Sequence, residues 1–322
     1  MAESNPFPAF PRSWTGLGRM GEARSDAAPG RRRYWLHALL FLLTLYSTTL
    51  VGSRMAYNFA HNLPSFDMET DLPAYTEMWS DPERLMGGLP FSLTLLTILL
   101  AHEFGHYLAC VHYRVDASLP YFLPAPTLIG TLGAFIRIRG PIFSRRALFD
   151  IGVAGPIAGF VFLMPALSIG LAYSKIIADV PREGSILFGT PALLWLFEKL
   201  IYPGLDPHMI YLHPVARAAW IGLFATALNL LPIGQLDGGH ILYAVVGEKH
   251  RRLSRLFILL LIPMGLLFWW VWLLWAAVLF FFGSRHPVVY DHATLGGLRH
   301  KLGLLAAVIL LLSFMPSPIV SN

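Results

Sequence analysis

Six long apolar runs separated by polar connections organise the chain: Tyr34–Ser53, Leu89–His112, Ala147–Tyr173, Val215–Val245, Leu256–Gly283 and Leu302–Met315. A helix needs about 20 apolar residues to cross a bilayer, and every run but the last reaches that length. They predict an all-α integral membrane protein, a polytopic bundle of about six transmembrane helices occupying 34–318, with a core at 89–245. Two stretches read less simply. Ile186–Tyr202 is apolar but carries Glu198 and Lys199, so it either crosses or lies along the interface, and the charges favour the interface. "LLLIPMGLLFWWVWLLWAAVLFFFG", ending at Gly283, allows one long tilted helix or a broken hairpin, which leaves the side of the C-terminus open.

Between the second and third runs the period changes. Phe135 to Arg139 alternates in steps of two, with Ile136 and Ile138 opposed to Arg137 and Arg139, and turn residues flank it at Gly133 and Gly140-Pro141. This is either a short membrane-associated β-strand or a basic loop.

Composition agrees with the membrane reading. Hydrophobic residues make up 55% of 322 and charged residues 13%, against about a quarter charged in a soluble domain. The net charge of +5 lies beside apolar runs, so it points to orientation by the positive-inside rule and not to nucleic acid. The first 33 residues, ending in Arg31-Arg32-Arg33, read as a disordered cytoplasmic tail. Arg54–Met86 is acidic, Arg114–Arg146 basic again, and Lys249 to Arg255 basic after the next outward-to-inward span, an inside-first alternation. These features predict a multi-pass membrane protein with its N-terminus inside, and the expected location is a bacterial cytoplasmic membrane. Cys110 is the single cysteine, so no internal disulfide forms.

The chemistry is in "AHEFGHYLAC", Ala101–Cys110. Residues four apart on a helix project from nearly one face, so His102 and His106 can address one ion while Glu103 reaches a water beside it. This is H-E-x-x-H, the zinc-hydrolase pattern with glutamate as general base. A lone histidine in an apolar helix is usually a hydrogen-bonded core residue. Three ionisable residues in five positions are different, because each costs roughly 2.5–3.5 kcal/mol at the bilayer centre and such residues usually have a function. A catalytic zinc site needs a third ligand, and Asp237 is the acidic residue deep in the later runs. Around it, Pro232, Gly234, Gly238 and Gly239 argue against an unbroken helix.

"HEFGH" followed far downstream by "NLLPIGQLDGG", with Asn229 eight before Asp237, resembles the site-2 protease family of intramembrane zinc metalloproteases. "IGVAGPIAGF", Ile151–Phe160, is similar to that family's glycine-rich middle helix, and the pattern is that of the members without a PDZ domain. The resemblance implies one zinc per chain held by His102, His106 and Asp237. It further implies Glu103 as the base that activates water and protonates the leaving amine, and membrane proteins with a transmembrane segment as substrates. Asn229 would hold substrate or stabilise the oxyanion, although an interhelical hydrogen bond is its simpler use. An extended strand holding Ile136 and Ile138 would bind unwound substrate by β-addition. His240 is open between support of a metal ligand and an interfacial position. Gly152, Gly155 and Gly159 read as close helix packing, Cys110 as small apolar packing, and Phe268–Trp275 as lipid-facing. Two rivals remain: a zincin that clips juxtamembrane tails, and a metal transporter or inactive scaffold. A transport or scaffold site needs no base beside its first ligand, which counts Glu103 against it.

Overall fold

A computed structural model describes residues 34–64, 66, 81–177, 186–282, 289, 291 and 293–321. The expected tail 1–33 and residues 67–80 of the acidic connection lie outside the described residues. Of a separate N-terminal unit, Met1–Leu36, only the three residues that begin the first helix are described; the bundle is built from His37–Asn322.

The elements run α1 (Tyr34–His61), α2 (Pro82–Met86), α3 (Leu89–His112), β1 (Tyr121–Pro124), β2 (Thr131–Phe135), α4 (Arg145–Ala172), β3 (Lys175–Ile176), β4 (Ile186–Phe188), α5 (Ala192–Ile201), β5 (Ile210–Tyr211), α6 (Pro214–Leu230), α7 (Asp237–Val246), α8 (His250–Leu267), α9 (Val271–Phe282), α10 (Gly297–Ser313) and β6 (Ile319–Ser321). Helices α1, α3 and α4 are each long and apolar enough to cross a membrane. The protein is an all-helical polytopic membrane protein with short strands at its ends.

Helix α4 is the axis. Ser144 caps it by accepting from the Arg146 amide, and it continues through Pro156 and Pro165. Small residues let its neighbours approach: a Cβ on Gly105 of α3 would fall 2.4 Å from the Ala154 carbonyl oxygen, and one on Gly170 of α4 would fall 2.2 Å from the Ala216 nitrogen of α6. The main core, with Phe91, Leu95, Leu163, Leu167 and Leu223, fills the space between these helices. In membranes such close packing replaces the hydrophobic drive available in water.

The run 215–245 is broken, as its Pro and Gly residues predict. Helix α6 stops at Leu230 and α7 begins at Asp237. The run 256–283 is a hairpin: α8 and α9 fold together so closely that a Cβ on Gly265 would meet Leu273 Cγ at 2.5 Å. Within Phe268–Trp275 the lipid-facing reading is corrected at Trp272. Trp270 is exposed, but Trp272 is 1% exposed and its indole Nε1–H donates to the Pro316 carbonyl at 2.7 Å. A buried indole requires such a partner. Helix α5 has 10 residues, about 15 Å, too short to cross.

The hairpin and α10 settle relative directions. Arg299, near the start of α10, pairs with Asp150 near the start of α4. Beyond its far end the Gly189 amide donates to the Pro318 carbonyl, and β6 pairs antiparallel with β4. Helix α10 therefore runs from the arginine-bearing end of the bundle to the opposite end.

The strand predicted at 135–139 is displaced. The ladder is β1 with β2, pairing Tyr121 with Phe135, Phe122 with Ala134 and Pro124 with Thr131. One residue beyond Phe135 the partner position is Pro120, which has no N–H to donate. Pairing resumes only as a bridge between Ile138 and Ala117, through Ser118 N–H to Arg137 O and Arg139 N–H to Asp116 O. The alternation itself is real, since Ile136 and Ile138 are half-buried while Arg137 and Arg139 are exposed.

Candidate metal centre

Two helical turns and one helix start build the centre. His102 and His106 lie on α3, buried, and Asp237 is the first residue of α7. His102 Nε2 is 3.2 Å from His106 Nε2 and 3.2 Å from Asp237 Oδ2, and His106 Nε2 is 3.3 Å from the same oxygen. Zinc bonds of about 2.0–2.1 Å in a tetrahedron put ligand atoms about 3.3–3.4 Å apart. The three pairwise spacings match the edges of that tetrahedron. Among the described residues this is the one group of His, Cys, Asp or Glu that could hold a metal.

Ring orientation supports the same fit. His106 Nδ1 lies 2.7 Å from the Ile151 carbonyl; that oxygen only accepts, so Nδ1 carries the proton and the Nε2 lone pair faces inward. The glycines of α4 are more specific than general packing. A Cβ on Gly155 would fall 2.1 Å from His106 Nε2, and one on Gly159 would fall 3.1 Å from His102 Cβ. Gly155 therefore leaves the space in which His106 Nε2 sits.

Asp237 is delivered by the broken helix. The Ser254 hydroxyl accepts from the Gly234 amide at 2.9 Å, and Gly234 has φ of 56°, a backbone state that glycine adopts without strain. Gly238 and Gly239 are needed for approach: their Cβ atoms would fall 2.0 Å from the Leu230 carbonyl and 2.3 Å from the Gly234 carbonyl.

Glu103 is buried beside the three donors, and the backbone N–H of Ile136 faces its carboxylate. Asn229 Nδ2 is 3.2 Å from His102 Nε2, so its amide stands at the edge of the donor set. Ile136 and Ile138 pack toward the cluster of Cys110, Ala117 and Ile151, which also accounts for Cys110. His240 lies against Gly152 of α4. Sequence reasoning missed the Ile151 carbonyl and the clearance made by Gly155. The signal available was the spacing of Gly152, Gly155 and Gly159, which puts an open strip on one helix face.

The sequence model of peptidase family M50 matches residues 90–271, more than half of the chain, and the match takes in every residue of this centre. The chain belongs to peptidase family M50, the site-2 protease family. The chain is also similar to "Probable zinc metalloprotease EGY1, chloroplastic" of Oryza sativa subsp. japonica, 34% identical over 237 residues, covering 70% of this chain and 40% of that protein. The protein of the same name in Arabidopsis thaliana is 32% identical over 241 residues, covering 69% and 42%. "Probable zinc metalloprotease EGY2, chloroplastic" of Arabidopsis thaliana is 32% identical over 278 residues, covering 81% and 46%. The M50 chain thus spans less than half the length of these curated relatives. Their names place them in the chloroplast, which lends no support to a bacterial cytoplasmic membrane; the membrane location itself stands.

Proposed function

We propose that this M50 chain is an intramembrane zinc endopeptidase that hydrolyses peptide bonds within or near transmembrane segments of membrane proteins. The observation that carries the reading is the convergence of His102, His106 and Asp237 at tetrahedral spacing beside Glu103, with the two histidines and the glutamate inside a helix apolar enough to cross a membrane. A substrate bond in the bilayer requires water, base and electrophile at the same depth.

In this reading His102, His106 and Asp237 hold zinc through Nε2, Nε2 and Oδ2. Zinc bound there would supply Lewis-acid chemistry, polarising the scissile carbonyl and acidifying a water. Glu103 takes the proton as the water oxygen bonds to the carbonyl carbon. It then delivers that proton to the nitrogen as the C–N bond breaks, so one carboxylate serves as base and then acid. The Ile136 amide facing Glu103 fixes the carboxylate for this exchange. Asn229 offers an amide N–H toward the charge developing on the carbonyl oxygen, a preorganised donor in a site of low dielectric.

Substrate backbone must be unwound before attack, and each unpaired group in hydrocarbon costs several kcal/mol. β2 pairs only with β1 among the described residues, so its second edge is available for an extended substrate, with Ile136 and Ile138 continuing the segment next to Glu103. Such β-addition reads backbone more than side chains. The charge pattern orients the N-terminus and the β1–β2 connection inside.

The test is reconstitution. Purified protein in liposomes with a single-span substrate yields two fragments whose new termini, read by mass spectrometry, lie in or next to the apolar segment. Chelation stops the reaction and zinc restores it. Cleavage confined to soluble tails would support the juxtamembrane rival, and zinc binding without cleavage would support the inactive one.

A further inference from the structure

Outside the donor set, three helices meet at one charged cluster that the proposed chemistry does not use. Asp150, near the start of α4, accepts from Arg299 of α10 through both oxygens, at 2.9 Å from Nε and 2.7 Å from Nη2. The Tyr113 hydroxyl, from the residue that closes α3, donates to the same carboxylate and lies 3.2 Å from Arg299 Nη2. Arg299 also reaches back to the Leu295 carbonyl at 3.2 Å. The Asp150 and Arg299 side chains are each 25% exposed, so the pair is more than a surface contact. A bidentate arginine–carboxylate pair fixes direction as well as distance.

The position of this cluster matters more than its strength. Asp150 immediately precedes Ile151, whose carbonyl receives His106 Nδ1–H at 2.7 Å. Tyr113 lies two turns beyond His106 on the same helix. The α3–α4 seam is thus tied at Tyr113–Asp150 and again at His106–Ile151. A slide of α4 along α3 would break both ties, and it would bring Gly155 out of register with His106 Nε2, where clearance is already nil. Arg299 holds the carboxylate that makes the first tie, and it comes from α10, beyond the stretch matched by the family.

We infer that Arg299, acting through Asp150 and Tyr113, is a positioning residue that locks the α3–α4 register in which His106 Nε2 reaches the zinc. The inference rests on His106 being a ligand, as proposed above. Groups that orient a ligand without touching the metal set its affinity, commonly by about 10–100-fold.

The test measures zinc binding to the full chain in detergent by chelator competition, together with the visible spectrum after cobalt(II) is loaded in place of zinc. Arg299→Ala is expected to weaken zinc at least about tenfold and to alter the cobalt bands, with helix content unchanged by circular dichroism. Arg299→Lys recovers part of the affinity, because it keeps the charge and loses the fork. Tyr113→Phe, which removes one hydroxyl, weakens zinc less than Arg299→Ala but measurably, and it decides the matter if Arg299→Ala does not fold. His106→Ala serves as the separate control. If His106→Ala retains wild-type zinc affinity, the ligand assignment fails. If His106→Ala loses zinc while Arg299→Ala, or Tyr113→Phe where Arg299→Ala does not fold, binds zinc and gives cobalt bands as the wild type does, the ligand assignment stands and the positioning role is overturned.

Discussion

Gly155→Ala tests the centre without replacing any of its three donors. The added methyl carbon would stand 2.1 Å from His106 Nε2 and 2.4 and 2.5 Å from the adjoining ring carbons. Restoring an ordinary contact of 3.4 Å requires a shift of about 1.3 Å, whereas metal–ligand bonds tolerate about 0.2 Å. The imidazole must therefore leave its place, and its hydrogen bond to Ile151 goes with it. Changes outside the ligand shell already cost about 10–100-fold in metal affinity, so removing a ligand this way weakens zinc by more than about 100-fold. Overpacking adds about 1–3 kcal/mol of destabilisation. The sign is diagnostic, because Gly→Ala inside a helix ordinarily gains about 0.5–1 kcal/mol. Gly303→Ala in α10 supplies the comparison: its new Cβ would meet only Phe149, at 3.5 Å, so it should keep zinc and gain that ordinary increment. The assay is zinc per chain after dialysis, with chelator competition and thermal unfolding of both variants. Wild-type zinc affinity in Gly155→Ala would refute the geometry on which the centre is built.

Three further outcomes follow from the fold. Ile136→Pro removes the N–H that faces Glu103 and should abolish cleavage with zinc retained; Ile138→Pro should do less, because the bridge at Ile138 uses the N–H groups of Ser118 and Arg139, and Arg137→Ala least of all. Equal cleavage by the wild type and Ile136→Pro would reject the role of this segment. In a Cys110→Ala background, Pro316→Cys should react with an impermeant thiol reagent from outside and Arg252→Cys should not, since α10 ends opposite the arginine-bearing end; the reverse labelling would overturn the inside-first orientation. Burial pushes the Glu198 carboxyl up to about 7 against the pull of Lys199, and one of its oxygens has no hydrogen-bond partner among the described residues. The folded chain then holds this proton to higher pH than the unfolded chain does, so the destabilisation grows as pH rises from 4.5 to about 7. Glu198→Gln should raise stability by about 1–3 kcal/mol at pH 8 and far less at pH 5, which unfolding in detergent at the two pH values checks.

The convergence of His102, His106 and Asp237 was legible in sequence because its physics is local. Four-residue spacing puts His102 and His106 on one face, and a lone carboxylate in a Pro- and Gly-broken span leaves Asp237 few alternatives. The three arrive within 3.2–3.3 Å of one another. What was not legible depends on partners distant in the chain. The strand moved toward Thr131 because its partner places Pro120 opposite the next residue, a relation that period-two alternation cannot reveal. Trp272 is buried because Pro316, 44 residues away, accepts its indole N–H. In the sequence Arg145 counts only toward a basic connection, and nothing there singles out Arg299. In the fold Arg145 donates to the Ala244 carbonyl at 2.6 Å at the end of the helix that begins with Asp237, and Arg299 grips Asp150.

The central claim is that Glu103 acts on water beside a metal it does not bind. Purified Glu103→Gln in liposomes, compared with the wild type on one single-span substrate and assayed for zinc in the same preparation, tests it most directly. The account predicts one zinc per chain in both proteins and a cleavage rate at least about 100-fold lower in the variant. Cleavage by Glu103→Gln at the wild-type rate would contradict it.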